Sequence, residues 1–339
     1  MIKIELLGID LAKNVFQLWG TDAAGNCVLQ RRVRRESLLD IVGALPPCCI
    51  GIEACTGAFF WQRRFEALGH QVKIIAPQYV KPFVKRQKND RNDAEAICTA
   101  LRQPNMRFVP KKMIEQQDIQ SLHRARRRLV NHRTALVSQM RGILLDRGIG
   151  FAKSIGLARR MIPQILADRD NDLTELCREM LGSLLAFLYE IDTRIHEFDK
   201  RIERVFRENE ACRRVASIRG VGPKIATAII AAVGDGHEFE NGRHMAAWLG
   251  LVPRQHSSGD RRRLMGISKR GDQHLRTLLV HGARAVVRTA ANKTDAFSDW
   301  VNALKERRGM NRATVAVANK NARVIWALLR HGTEFRSAA

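Results

Sequence analysis

Four carboxylates in the first hundred residues fall where chemistry is usually presented. Asp10 closes the apolar run ending Gly8-Ile-Asp10, and Glu53 closes the run ending Gly51-Ile-Glu53. Both runs have the length and apolar density of buried strands, so each acid falls at a strand terminus, where loops carry function. Asp90 and Asp93, in Lys88-Asn-Asp90-Arg-Asn-Asp93-Ala-Glu-Ala, open a predicted helix and share one of its faces, being three residues apart. Clustered carboxylates repel unless a cation neutralises them. Mg²⁺ suits them, with Mn²⁺ as the alternative, because Mg²⁺ keeps several waters and needs few protein oxygens. Two such ions about 3.5–4 Å apart stabilise both the attacking and the leaving oxygen in phosphodiester cleavage. Ordinary roles stand beside this one: Asp10 as a turn or cap residue, Asp90 as an N-cap, Asp93 favoured by the helix dipole. Glu53 fits such a role least, because Glu is rare after a strand as apolar as Cys-Cys-Ile-Gly-Ile.

A second constellation lies far downstream. Ser257-Ser258-Gly259-Asp260 is followed at once by Arg261, Arg262 and Arg263. A serine in such a loop can attack phosphate while the arginines hold the anion and stabilise charge in the transition state. It can equally be a turn former. Ser268, before Lys269, Arg270 and Gly271, reads as a cap for the helix that contains His274 and Leu275. Upstream, Ile218-Arg-Gly220-Val-Gly222-Pro223-Lys224-Ile-Ala226 has the form of a helix-hairpin-helix loop. Its glycines permit tight turns, and Pro223 starts a helix whose free N–H groups can receive a phosphate. Such loops grip a nucleic-acid backbone without reading sequence; a plain Gly-Pro helix connection is the alternative.

The elements that must position these groups differ along the chain. Residues 1–110 alternate in period: three hairpin strands, then helix and strand by turns, which predicts a mixed sheet flanked by helices and is compatible with a ribonuclease-H-like domain. Residues 111–210 lose all strand signal. Their first forty residues hold nine Lys or Arg against three acids, including Arg124, Arg126, Arg127 and Arg128. Leu181, Leu184, Leu188, Ile191, Ile195, Phe198, Ile202 and Val205 then keep strict heptad register, a coiled-coil pattern. This seam can pair with another protomer or fold back on the preceding helix; the intermolecular pairing is the expectation. Residues 211–339 read as basic and mainly helical.

The whole chain of 339 residues has 58 Lys and Arg against 34 Asp and Glu, a formal charge of +24. Such a field attracts polyanions. The longest apolar runs, Leu184–Tyr189 and Ile225–Val233, are too short to span a bilayer, so no membrane association is expected. Seven scattered cysteines without metal-ligand spacing fit reduced, mostly buried thiols in a cytoplasm.

Together these motifs resemble the DEDD-type insertion-sequence transposases, a bacterial family with pilin-gene-inverting relatives. The resemblance runs over nearly the whole chain, from Gly-Ile-Asp10 with Lys13 through Gly-Ile-Glu53, Asp90-Arg-Asn-Asp93, Gly220-Val-Gly222-Pro and Trp248-Leu-Gly-Leu-Val-Pro253 to Ser258-Gly259 and Gly266-Ile-Ser268-Lys-Arg-Gly271. It implies an α/β RNase-H/RuvC-like N-terminal domain, a helical coiled-coil middle segment, and a mainly α C-terminal transposase domain with the helix-hairpin-helix-like motif. It implies that Asp10, Glu53, Asp90 and Asp93 hold metal, and that Ser258, or its neighbour Ser257, forms a phosphoserine link to DNA. Its further implications are a dimer or tetramer, DNA partners comprising element ends and target, and an element-encoded guide RNA. Gly220, Gly222, Lys224, Arg261, Arg262, Arg263, Lys269, Arg270 and the arginines at 124 and 126–128 are the expected nucleic-acid contacts. Two other readings compete: a metal-dependent nuclease resembling a Holliday-junction resolvase, and a non-catalytic nucleic-acid-binding protein.

Overall fold

The computed structural model describes residues 3–85, 90–258 and 261–335, with Asp90 and Arg262 described in backbone alone. The chain divides into two compact units, Met1–Lys112 and Met113–Ala339.

The first unit opens with β1 (Leu6–Asp10), β2 (Val15–Thr21) and β3 (Cys27–Arg34), the predicted antiparallel meander. Asp22 shapes the β2–β3 turn by accepting the Asn26 N–H, while Gly25 takes the positive φ. Then come α1 (Leu38–Gly43), β4 (Cys49–Glu53), α2 (Ala58–Ala67), β5 (Gln71–Ile75), α3 (Pro77–Val80), α4 (Asp90–Leu101) and β6 (Phe108–Val109). β4 runs parallel to β1, and β5 parallel to β4, giving the order β3-β2-β1-β4-β5-β6. The two-residue period of a strand separates its faces. Leu7, Ile9, Ile50 and Ile52 are buried in one core with Leu38, Val42, Trp61 and Phe65 of α1 and α2. Leu6 and Cys49 point the other way, to a core built on Ile97, Ala100 and Leu101 of α4.

The second unit begins with three helices: α5 (Ile114–Leu145), α6 (Ile155–Ala167) and α7 (Glu175–Glu208). The α7 seam does not await another protomer. Leu181, Leu188, Ile191, Ile195 and Ile202 are buried within the chain, and α5 packs antiparallel along α7. Two cross-links fix the register, Arg126 to Asp199 and Arg133 to Asp192. The expected intermolecular pairing of this seam is thereby corrected. Leu185, outside the heptad positions, is buried too, because α6 adds Ala158, Ile162 and Ile165 to the same core.

The remaining elements are α8 (Glu210–Ala216), α9 (Pro223–Val233), α10 (Gly242–Trp248), β7 (Pro253–Ser258), β8 (Arg261–Ile267), α11 (Gln273–Thr289), α12 (Ala296–Arg308) and α13 (Met310–His331). From Ile225 to Val233 every residue of α9 is buried, as expected of a helix apolar all round. Gln116 and Gln120 of α5 donate to the carbonyls of Ile230 and Ala231, and His123 bonds Thr227, so helices from both sides of residue 210 share this core. β7 and β8 form an antiparallel hairpin absent from the helical expectation, with β7 exposed throughout. The cap of α11 is also corrected: Asp272 accepts from His274 and Leu275, whereas Ser268 accepts from Arg270 outside the helix. Among the described residues, no helix is long and apolar enough to cross a membrane. The seven cysteines are free thiols; Cys48, Cys98, Cys177 and Cys212 are buried.

Candidate active site and nucleic-acid interface

Two glycines explain how the carboxylates of the first unit come together. Gly8 and Gly51 face α4, and a Cβ on Gly8 would lie 2.3 Å from the Ala94 carbonyl oxygen and 2.7 Å from the Cys98 nitrogen. The missing side chains let α4 lie directly on the sheet. Asp10 and Glu53 follow those glycines by two residues, so the strand period turns both acids toward the same face. The parallel register sets Ile9 beside Ile52, which places the two acids at adjacent strand ends. Asp93 immediately precedes Ala94 and is thus carried to the same region by the helix.

The electrostatics agree with that placement. Glu53 is half-buried, and its pKa is raised first by burial and then by the charge of Asp93. The Cys55 thiol is pushed up by partial desolvation, then by Glu53 and by Asp10. Glu53 is thus within the field of Asp93, and Cys55 within the fields of Glu53 and Asp10. Among the described residues no three His, Cys, Asp or Glu side chains form a ready ligand set. The side chain of Asp90, at the first residue of α4, lies outside the described residues.

In the second unit the hairpin separates the two adjacent serines. Ser258 is opposite Arg261 and His256 is opposite Arg263, so these four residues share one face. Ser257, opposite Arg262, lies on the other face, where its Oγ accepts from the Gln255 amide at 2.9 Å. Ser258, Arg261 and Arg263 are exposed. Gly259 and the Arg262 side chain lie outside the described residues. His256, not among the expected site residues, is exposed on the Ser258 face.

The glycine-rich loop joins α8 to α9 as the motif predicts. Gly220 has φ +82, and its Cβ would meet the Gly282 carbonyl oxygen at 2.7 Å, so it also allows close approach of α11. Gly222 is open, and Pro223 stands in the first turn of α9. The cations of this loop and of the first turn of α9 are engaged. Arg219 bonds Asp295 at 2.8 and 2.7 Å, and Lys224 pairs with Asp199 at 2.9 Å. Hydrogen bonds from Arg219 and Ser298 hold Asp295 down at about 2. Burial opposes ionisation of Asp199, but bonds from Arg126 and Lys224 outweigh it and keep its pKa low. Of the other expected contacts, Arg124, Arg127, Arg128, Lys269 and Arg270 are exposed.

Comparison with known proteins adds a second line of observation. The profile of the DEDD transposases of the IS110 type matches residues 7–147, and that described as the transposase IS116/IS110/IS902 family matches residues 212–299. The transposase for insertion sequence element IS1111A of Coxiella burnetii is 48% identical over 100% of this chain and 93% of its own length. A probable family 20 transposase of Pseudomonas aeruginosa is 47% identical over 99% of both chains. The pilin gene-inverting protein of Moraxella bovis is 28% identical over 38% of this chain and 39% of its own.

Proposed function

Because this chain belongs to the IS116/IS110/IS902 family of transposases, we propose that it cuts and rejoins insertion-sequence DNA through a covalent link to Ser258. The observation that carries this reading is the hairpin face on which Ser258 stands with Arg261 and Arg263. In the proposed step the Ser258 Oγ–phosphorus bond forms as a backbone phosphorus–oxygen bond breaks. The serine proton leaves, and the freed sugar oxygen takes one up. Attack on the phosphoserine by another sugar hydroxyl reverses the exchange, so no external energy source is required. The two arginines bind the phosphate and offset the charge that grows on its oxygens.

The carboxylates form the other half of the reading. Asp10, Glu53 and Asp93, with Asp90, would hold a divalent cation, Mg²⁺ or Mn²⁺. What supports this is the chemistry of the donors, which are oxygen only, and the repulsion from Asp93 at Glu53 that a cation would relieve. Such an ion would supply charge stabilisation at a phosphate oxygen. A meander β3-β2-β1 continued by parallel β4 and β5, with acids at the ends of β1 and β4, supports a ribonuclease-H/RuvC-like fold for residues 1–110. In this reading residues 111–210 form the basic and coiled-coil segment, and residues 211–339 the serine-bearing domain. The enzyme would work as a dimer or tetramer in the bacterial cytoplasm, on nucleoid DNA. An element-encoded RNA would choose the site by base pairing. This last part rests on the family resemblance and on the charge of +24.

Covalent trapping tests the proposal. Purified protein, Mg²⁺, element RNA and element-end DNA are mixed, denatured and resolved on a gel. A protein–DNA adduct that survives Ser257→Ala and is lost in Ser258→Ala is the expected result. Metal-dependent cleavage without an adduct in any variant would replace the proposal with the resolvase-like nuclease. Equal recombination with and without the RNA would remove the guide.

A further inference from the structure

A groove beside the base of the serine hairpin belongs to neither constellation. Its volume is about 1690 Å³, well above the roughly 300–1,000 Å³ of a small-molecule pocket. It has room for a stretch of polymer. One wall is a single stripe of α13, in which Arg312, Ala316, Lys320 and Arg323 recur at helical spacing. Arg243 and Arg308 add to its rim, and no Asp or Glu lines it among the described residues. None of these five cations has an ion pair among the described residues. The loop before α9 and the first turn of that helix are the contrast: there Arg219 and Lys224 both have acids.

The rest of the lining is aromatic and apolar. Trp300 and Trp326 are half-buried in the groove, and the Lys320 ammonium stands 4.7 Å from the Trp300 ring centroid. Trp326 is held in orientation by its Nε1–H, which donates to the Phe239 carbonyl at 3.1 Å. From the hairpin come Leu264 and Met265, respectively 67% and 44% exposed, an unusual cost for two large apolar residues on one strand. A row of unopposed cations alongside ring and apolar surfaces matches the chemistry of a nucleic-acid strand whose bases are not paired. Its phosphates need cations, and its base faces need flat or apolar contacts. A duplex would keep those base faces stacked inside, leaving the tryptophans and the hairpin wall without partners.

We propose that this groove binds an unpaired nucleic-acid strand, with phosphates on Arg312, Lys320 and Arg323 and bases against Trp300, Trp326 and the hairpin's apolar base. The site is independent of whether Ser258 is the nucleophile, since it uses neither that residue nor a metal.

Fluorescence anisotropy on the full chain tests it. The probes are a labelled DNA single strand, an RNA single strand of the same sequence, and the DNA duplex. Arg312→Glu with Lys320→Glu reverses two exposed charges in the groove. Arg160→Glu with Arg194→Glu makes the same charge change at exposed positions on α6 and α7. The groove variant should lose about tenfold or more in affinity for at least one single strand, while its duplex binding falls no further than the control's. The salt slope for that strand should drop by about 0.7 for each phosphate contact removed. The arm that shows the loss identifies the sugar of the strand. Trp300→Phe should reduce the quenching of tryptophan emission by that strand without unfolding the chain. Equal losses for single strand and duplex, matched by the control, would overturn the proposal in favour of a general field. A loss confined to duplex would overturn it in favour of a duplex-reading face.

Discussion

Replacing Gly8 by alanine tests how the carboxylate cluster is assembled. The added methyl would sit 2.3 Å from the Ala94 carbonyl oxygen and 2.7 Å from the Cys98 nitrogen, both backbone atoms of α4. No rotamer can relieve such a clash. β1 is hydrogen-bonded to β2 on one side and β4 on the other, so the helix must give way. Overpacking of this kind costs about 1–3 kcal/mol. At roughly 4–8 °C per kcal/mol for a domain of this size, the first unit should melt about 5–20 °C lower. The displaced helix carries Asp93 away from Glu53, removing part of the repulsion that raises the Glu53 pKa. Metal sites tolerate errors of only about 0.2 Å in ligand distance, so Mg²⁺ affinity should fall with the shift. Gly51→Ala is the internal comparison. Its methyl would meet Ile97 Cγ2 at 3.1 Å and Leu101 Cδ2 at 3.2 Å, both side-chain atoms able to repack. Circular-dichroism melts and Mg²⁺ titration calorimetry on both variants decide the matter. If Gly8→Ala melts and binds like wild type, α4 is not held by the absence of that side chain, and the assembly argument fails.

Mg²⁺ affinity should weaken as pH falls through the raised pKa of Glu53, at a higher pH than an ordinary carboxylate would give; Glu53→Gln should lose that dependence in the same titration. His123 is pushed down to about 4 by burial and then by His274, Arg126 and Lys224. Between pH 6.5 and about 4 the unfolded chain takes up a proton that native His123 refuses, so stability should fall by about 3 kcal/mol across that window. Denaturant midpoints read this, and a His123→Gln variant with the same acid slope would refute the assignment. Asp272→Ala should cost about 1 kcal/mol through loss of the α11 cap, and Ser268→Ala much less; equal losses would return the cap to Ser268. Asp199→Asn should lower stability by roughly 1–2 kcal/mol because Arg126 and Lys224 lose their shared carboxylate, and the freed cations should tighten nonspecific DNA binding, measurable on duplex at low salt.

The parts of this protein that were legible in its sequence are those with a local pattern. Short apolar runs exposed β1 and β4 and placed Asp10 and Glu53 at strand ends, and the turn residues that separate β1, β2 and β3 marked the meander. The glycines two residues ahead of both acids were equally visible, but their use depends on α4, some eighty residues beyond Gly8 in the chain. The heptad of α7 announced a seam without naming its partner. That choice rests on Arg126–Asp199 and Arg133–Asp192, pairs 73 and 59 residues apart in sequence. The β7–β8 hairpin was hidden for a different reason. Pro253-Arg-Gln-His-Ser-Ser258 exposes both faces, so it has no hydrophobic alternation to read, and its order comes from cross-strand pairing alone. The groove on α13 collects residues from Asn241 to Ala327, a juxtaposition that no local pattern contains.

Net charge has the same limit. A total of +24 says that a polyanion is attracted, but the acids of the second unit decide where it can settle. Asp192 serves Arg133 and Arg159, Asp199 serves Arg126 and Lys224, and Asp295 serves Arg219. These cations hold α5, α7 and the loop before α9 in place, and a phosphate would have to displace a carboxylate to reach them. Arg261 and Arg263 beside Ser258, and Arg312, Lys320 and Arg323 in the groove, have no such competitor among the described residues. Local pairing therefore leaves the cations of the hairpin and of the groove at its base without competing acids among the described residues, while in the arginine cluster of α5 Arg126 is committed to Asp199 and Arg124, Arg127 and Arg128 stay exposed.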